Sequence, residues 1–425
     1  MKIKNIITVL LVAIILASCA PAAKVVPAET SIPTSTFTSI PATSTSTPTP
    51  APENIADAKD LPVWVDDYVH AYGGKVIVNS IEMSASQLTD EIRNNNDKFI
   101  QVKQINGNEF LILIVNGIPL AIREKDKWQS TTIKMLADFQ GLKIGSENRI
   151  TPNFYSQLNQ MTIGTYWSVI EPQQGVYNFV EFDRYVAEAK KHNMTIRGHA
   201  LVYSSISWAM PSWLNKSDFS KDELRKILID HITKVVQHGK ELGVTEWVVV
   251  NEPYLKNAGR TNDIFYESLG GYEYIELAFQ TARNVDPTAT LIYNDYDNQS
   301  SIGQTANLTK QIVQMLKAKN LVDAVGVQAH VGDWLPIYNK NDVENMLKSY
   351  ELPVVITEFD YNLTKMSGTE QERYEKQAKV YADYLEAALN ANCKEFTFWG
   401  IIDLQKKNWK KWRSWAGQNG GNVTS

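Results

Sequence analysis

The chain has 425 residues, 44% hydrophobic and 21% charged, which is enough for a large soluble domain and a smaller one. A formal net charge of -5, with no basic run beyond Lys406-Lys407 and Lys410-Lys411, excludes nucleic acid as an expected partner. Two cysteines, Cys19 and Cys393, exclude a disulfide framework, while 11 Trp and 19 Tyr offer faces that could stack on sugar rings, although most aromatics simply pack.

Residues 1–18 read as a signal peptide. Lys2 and Lys4 precede an apolar run over 6–16 that is too short to cross a bilayer. Leu16-Ala17-Ser18-Cys19 resembles a bacterial lipobox, which implies lipidation of Cys19 and anchoring at the extracellular face of a bacterial membrane. Ordinary cleavage and secretion is the alternative. Residues 20–55 are rich in Ser, Thr, Pro and Ala, cannot build a core, and read as an extended tether. Residues 56–128 read as a small β-rich accessory module. A strand is predicted at 75–81 and a helix at 85–93. Residues 110–115 and 118–123 form a hairpin, with Asn116-Gly117 supplying the positive φ of a type I′ turn. No constellation of reactive side chains occurs there, so packing is the plain expectation and carbohydrate binding its rival.

From residue 129 strands and helices alternate. Strands are predicted at 142–144, 161–166, 195–201, 245–251, 290–294, 324–328, 354–358 and 396–399, and helices at 181–192, 221–242, 272–285, 302–319 and 371–391. Eight strands in βα alternation match an α/β fold of the (β/α)8 TIM-barrel type. An open doubly wound sheet fits less well, because no glycine-rich nucleotide loop follows a strand.

Two of these strands deliver a glutamate. Trp247-Val248-Val249-Val250-Asn251-Glu252-Pro253 and Pro353-Val354-Val355-Ile356-Thr357-Glu358-Phe359-Asp360 both run from a buried apolar stretch to a carboxylate, at the strand end where barrels place chemistry. Counted fourth and seventh, the strands are three apart, so their ends face each other across the mouth. Glycoside hydrolysis needs such a pair: one carboxyl protonates the leaving oxygen and the other attacks or activates water. Taken alone, either glutamate could be a helix N-terminal acid or a surface charge. Their company distinguishes them: Asn251 beside Glu252, Gln328 and His330 at strand six, His199 at strand three, Trp399 at strand eight. Trp247 is as readily core as substrate contact and is left out of the site. No metal site is expected, since His192, His231 and His238 fall on helix faces without ligand spacing.

Over residues 130–409 the chain resembles glycoside hydrolase family 10, the endo-β-1,4-xylanases. The matching pieces run in order: Glu171-Pro172 with Gly175 and Phe179, Arg197-Gly198-His199, Trp247 through Asn251-Glu252, Asn294-Asp295-Tyr296, Gly326-Val327-Gln328-Ala329-His330, Ile356-Thr357-Glu358-Phe359-Asp360, and Trp399-Gly400 with Asp403. The Asn-Glu pair and the second Glu are shared by many retaining barrel glycosidases; Arg-Gly-His and Gln-x-His are more specific. The resemblance implies a monomeric, cofactor-free enzyme that hydrolyses xylan with retention. Glu252 would be the acid/base and Glu358 the nucleophile, about 5–5.5 Å apart. Asn251 would bond the sugar 2-hydroxyl, His330 would contact the nucleophile with Asp360 behind it, and His199 and Gln328 would line the subsite. Trp399 and Trp409 would wall it.

The chain also departs from the family. Where the family shows Glu-Asn and then Lys-Trp after the second strand, it has Thr162-Ile163 and Tyr166-Trp167; the family's Trp-His after Arg-Gly-His-x-Leu-Val is Tyr203-Ser204. A hydrogen bond to a charged group is worth about 1.5–3 kcal/mol, so a changed grip leaves two rivals open: another β-1,4-glycanase, or a non-catalytic surface glycan-binding lipoprotein. After Trp409, Trp412 and Trp415 the chain closes on Gly/Asn-rich residues 417–425, so the barrel is expected to lack its final helix.

Overall fold

The computed structural model describes residues 55–401 except 72–73, 106–107, 117, 125–126, 149–153, 254–262, 333–334 and 364–365. The predicted signal peptide, Cys19, nearly all of the tether, Asp403, Trp409 and the expected loss of the final helix lie outside the described residues. The described chain forms two compact units that meet in sequence at Thr131/Thr132.

The smaller unit contains α1 (Leu61–Ala71), β1 (Val76–Val78), β2 (Ile81–Met83) and α2 (Ala85–Asn94), followed by β3 (Ile100–Ile105), β4 (Asn108–Val115), β5 (Ile118–Glu124) and β6 (Lys127–Ser130). The last four form an antiparallel sheet in sequence order. The strand predicted at 75–81 is in fact one arm and the turn of a hairpin. Asn79 and Ser80 both take positive φ, and Val78 pairs with Ile81. Short polar residues tolerate that region and mark a turn, a signal the apolar alternation obscured. The predicted second hairpin forms with Val115 opposite Ile118, and Asn116 has φ +51°. Helix α1 was not predicted, although Pro62 in its first turn is compatible with a helix start and Leu61, Trp64, Val65, Tyr68 and Val69 are buried at helical spacing.

The larger unit opens with α3 (Ile133–Phe139). Its strands are β7 (Lys143–Glu147), β8 (Gln160–Gly164), β9 (Thr195–Val202), β10 (Glu246–Asn251), β11 (Thr290–Asp295), β12 (Ala324–Val327), the two-residue β13 (His330–Val331), β14 (Val354–Tyr361) and β15 (Glu395–Phe398). All pair in parallel, and β15 pairs with β7, so eight strands close into a barrel with β13 as an annex to β14. The helices are α4 (Trp167–Ile170), α5 (Val180–Lys191), α6 (Lys221–Glu241), α7 (Ile264–Leu269), α8 (Glu273–Val285), α9 (Ala306–Lys317), α10 (Lys340–Lys348) and α11 (Glu370–Asn390). Helix α6 starts on a capping box between Ser220 and Glu223, and α11 on one between Thr369 and Glu372.

Two features set the strands in place. Trp247 is fully buried in a slot cut by two glycines: a Cβ on Gly198 of β9 or Gly239 of α6 would fall within 2.3 Å of its ring. It is core packing between sheet and helix. At the strand beginnings the barrel interior is ionic. The buried Arg197 pairs with Glu395 and, at 3.5 Å, with Glu246, and Lys143 pairs with Glu246 and lies 3.9 Å from Glu395. These residues tie β7, β9, β10 and β15 together at the end of the barrel opposite Glu252 and Glu358. Deleting one member of such a cluster strands a buried charge. Arg197→Ala is therefore expected to lower stability by about 3–5 kcal/mol in denaturant unfolding. A loss under about 1 kcal/mol would show that the cluster does not hold the barrel.

Candidate active site

Glu358 projects from β14 and is almost fully buried. Asn294 at the end of β11 donates to its Oε1 at 2.7 Å, and His199 Nε2 stands 3.7 Å from the same oxygen. His330 Nε2 is 3.3 Å from Oε2, and its Nδ1 is 2.8 Å from Asp360 Oδ1. The Asn294 amide is oriented from behind, because Thr357 Oγ1 donates to its Oδ1 at 2.7 Å. Gly326 makes the room: a Cβ there would lie 2.3 Å from Asn294 Oδ1.

Glu252 follows β10 with φ +45°, a left-handed turn that a non-glycine residue enters at a cost of about 1–3 kcal/mol. Its own N–H donates to Asn294 O at 3.0 Å, fixing the turn to the next strand. Gln328 Nε2 donates to Glu252 Oε1 at 2.7 Å, the Tyr203 hydroxyl to Oε2 at 2.7 Å, and Ser205 Oγ to the Glu252 carbonyl at 2.5 Å. Asn251 Oδ1 accepts from Asn294 Nδ2 at 2.7 Å and from Gln328 Nε2 at 3.3 Å. The two carboxylates are thus joined through a continuous chain of amides, Asn294, Asn251 and Gln328. With its carbonyl oxygen doubly occupied, Asn251 keeps its amide N–H groups as donors for a ligand.

The electrostatics separate the groups. Burial pushes the Glu358 carboxyl up, but the neighbouring His199, the hydrogen bond and charge of His330, and the Asn294 amide outweigh it and hold it below the usual carboxylate range. Burial pushes His330 down, yet the charge and hydrogen bond of Asp360, together with those of Glu358, raise it to about 10. His199 is pushed down by burial, against the attraction of Glu358. A carboxylate kept ionised beside a charged imidazole, facing a second carboxyl across the mouth, can act as a nucleophile partnered by an acid/base.

The structure brings Glu252, Glu358, His199, Asn251, Gln328, His330 and Asp360 into one network. Trp399 stands beside it, edge-on to His199 at 5.2 Å and to His330 at 6.4 Å between ring centroids. Trp409 lies outside the described residues. The sequence reading gave no role to Asn294, Tyr203 or Ser205. Asn294 lay in a motif of the resemblance, and Tyr203 was noted as a lost residue of the grip rather than as a donor. At the departing positions, Thr162 and Ile163 are buried within β8. Tyr166 instead joins an aromatic corner with Trp208 at 4.8 Å, and Trp208 lies 5.8 Å from Tyr203. The three histidines predicted on helix faces each meet an acid: His192, which caps α5, with Glu188, His231 with Glu171 and His238 with Asp183. Among the described residues no group of three or more His, Cys, Asp or Glu is arranged to hold a metal ion.

The glycosyl hydrolase family 10 model matches residues 125–419. The chain belongs to that family. It is 35% identical over 246 residues to endo-1,4-beta-xylanase A of Humicola insolens, covering 57% of this chain and 63% of that protein. It is 34% identical over 266 residues to endo-1,4-beta-xylanase B of Thermotoga neapolitana, covering 62% and 71%. Among solved structures, xylanase 10B of Thermotoga petrophila RKU-1 in complex with xylobiose superposes with a TM-score of 0.57 at 30% identity, over 65% of this chain and 87% of that one. The match therefore spans less than two thirds of the Humicola relative.

In this family 10 barrel, the raised His330 links pH to stability. A histidine whose folded value lies above its free value of about 6.5 stabilises the fold fully below that pH, and the contribution is lost as pH rises towards 10. The stability difference between the native protein and His330→Asn is expected to be largest below about pH 6.5 and to shrink steadily up to pH 10 in unfolding titrations. A difference that stays constant over this range would contradict the Asp360–His330–Glu358 relay.

Proposed function

We propose that this family 10 chain is a retaining endo-1,4-β-xylanase, with Glu358 as nucleophile and Glu252 as acid/base. The observation that carries the reading is the pair of carboxylates held by one amide chain, with Glu358 kept ionised by His199, His330 and Asn294. The names of the relatives support xylan as substrate.

In the first step a Glu358 oxygen bonds to the sugar's anomeric carbon while the glycosidic C–O bond breaks. The proton of the Glu252 carboxyl goes to the departing oxygen. In the second step water attacks the same carbon and gives a proton to the Glu252 carboxylate. The ester bond to Glu358 breaks, and the anomeric configuration is retained. Asn251 donates to the 2-hydroxyl, a bond that strengthens in the oxocarbenium-like transition state. His199 and Gln328 line the same subsite, and Trp399 walls it. Glu358→Gln is expected to lower activity by more than about a thousandfold on every substrate. Glu252→Ala should lose about 10²–10⁴-fold on polysaccharide and far less on aryl glycosides whose leaving groups need no proton. Near-native activity of Glu358→Gln on an aryl xyloside would overturn the assignment.

A second reading, another β-1,4-glycanase, is favoured by the apolar Ile163 and the aromatic Tyr166 and Tyr203 at positions where the family carries a polar grip. Reducing-sugar release from xylan, glucan and mannan, with Glu252→Ala as blank, separates the two. Xylan cleavage supports the first reading, and cleavage of glucan or mannan alone supports the second.

We also propose that Cys19 is lipidated and that residues 20–55 tether the barrel away from a membrane. Radiolabelled palmitate should enter the protein in a bacterial host and be lost in Cys19→Ala. Equal labelling of the two would refute the anchor.

A further inference from the structure

We infer that Tyr203 is the positioning residue for the travelling proton of Glu252: its hydroxyl donates to Oε2 in the carboxylate form and accepts from Oε2 in the acid form. The inference rests on the acid/base assignment of Glu252 made above. Each oxygen of that carboxyl has a described partner from a different part of the barrel: Gln328, just beyond β12, at Oε1, and Tyr203, just beyond β9, at Oε2, each at 2.7 Å. The two partners differ in kind. The Gln328 amide group is fixed as a donor, because the same nitrogen also faces Asn251 Oδ1, which is already aligned by Asn294. An N–H that can only donate favours negative charge on Oε1. A phenol hydroxyl both donates and accepts, so it can follow the proton on and off Oε2 as Glu252 alternates between acid and carboxylate in each turnover. Of the two oxygens, Oε2 thus has the described partner that can accommodate either form.

The tyrosine is held for the task. Trp208 meets its ring edge-on at 5.8 Å, Ser168 Oγ donates to the Trp208 carbonyl at 2.8 Å, and Ser205, two residues on, grips the Glu252 backbone. The resemblance places a tryptophan at this position in the family, a residue that donates but cannot accept. Tyr203 thus gives this chain's acid/base a partner of a different kind. Among the described residues, the other charged and titratable groups at this end of the barrel include His199 on β9, Glu358 on β14, and His330 on β13 with Asp360 beyond it. Glu147 of β7 and Asp295 of β11 stand at further strand ends. In the described structure Tyr203 is hydrogen-bonded to Glu252 itself, and replacing the tyrosine adds or removes no carboxyl or imidazole.

The test compares full-length native protein, Tyr203→Phe, Tyr203→Trp and Glu252→Ala in pH profiles of kcat/KM on xylan, with thermal unfolding to verify that each is folded. Tyr203→Phe removes a hydrogen bond that the carboxylate accepts more strongly than the acid does. Its alkaline limb is expected to move up by about one pH unit. Tyr203→Trp restores a donor without an acceptor. Its limb is expected to stay within a few tenths of a unit of native while its plateau falls about tenfold. Folded variants whose activity is merely scaled, with the limb unmoved in Tyr203→Phe, would overturn the inference. So would a plateau in Tyr203→Trp equal to native. If Glu252→Ala kept its activity on xylan, the acid/base assignment itself would fail, an outcome that the Tyr203 variants do not produce.

Discussion

The amide chain from Asn294 through Asn251 to Gln328 is the interaction on which the site depends. Each link has one free orientation, set by its neighbour: Thr357 fixes Asn294, Asn294 fixes Asn251, and Asn251 fixes Gln328. The two ends of the chain then deliver N–H groups to Glu358 and Glu252. Hydrogen bonds in a low-dielectric interior hold such a chain stiffly, because turning Asn294 or Asn251 would break bonds that no water replaces. Two carboxylates that would repel each other are in this way linked at the same end of the barrel through neutral amides.

The barrel sustains this arrangement by keeping its two ends chemically distinct. At the strand beginnings, Arg197 and Lys143 meet Glu246 and Glu395 and close the interior with paired charge. At the strand ends the charges are poised instead of cancelled, with one histidine raised by its acid partners and another lowered by burial. Strand β9 carries both kinds of chemistry, since Arg197 serves the ionic end and His199, two residues later, faces Glu358. The Gly198 between them yields its side-chain space to Trp247. The Arg-Gly-His run thus spans an ion pair, a packing slot and a neighbour of Glu358 in three successive residues.

The barrel was legible in the sequence because its strands are short β-branched runs that end at turn formers, and because its long helices carry clear caps. Helix α10 was not, since Lys340–Lys348 is mostly polar and its apolar face is only Val343, Met346 and Leu347. The hairpin at 76–83 was read as one strand because nothing in the alternation marks Asn79-Ser80 as a turn. In the site, Glu252, Glu358 and His330 were legible through their neighbours in sequence. Tyr203 and Asn294 were not, because their roles arise from contacts 49 and 64 residues away, across the barrel mouth. A tyrosine in a loop carries no sign of the carboxylate it meets.

The most direct test of the central claim is intact-mass analysis and peptide mapping after exposure to a 2-deoxy-2-fluoro xyloside with a good leaving group. Such a reagent slows the second step more than the first and lets a covalent intermediate accumulate. A single sugar adduct is expected on the peptide that contains Glu358, and none in Glu358→Gln. An adduct on another residue, or active hydrolysis of xylan with no adduct and with inverted product, would contradict the claim.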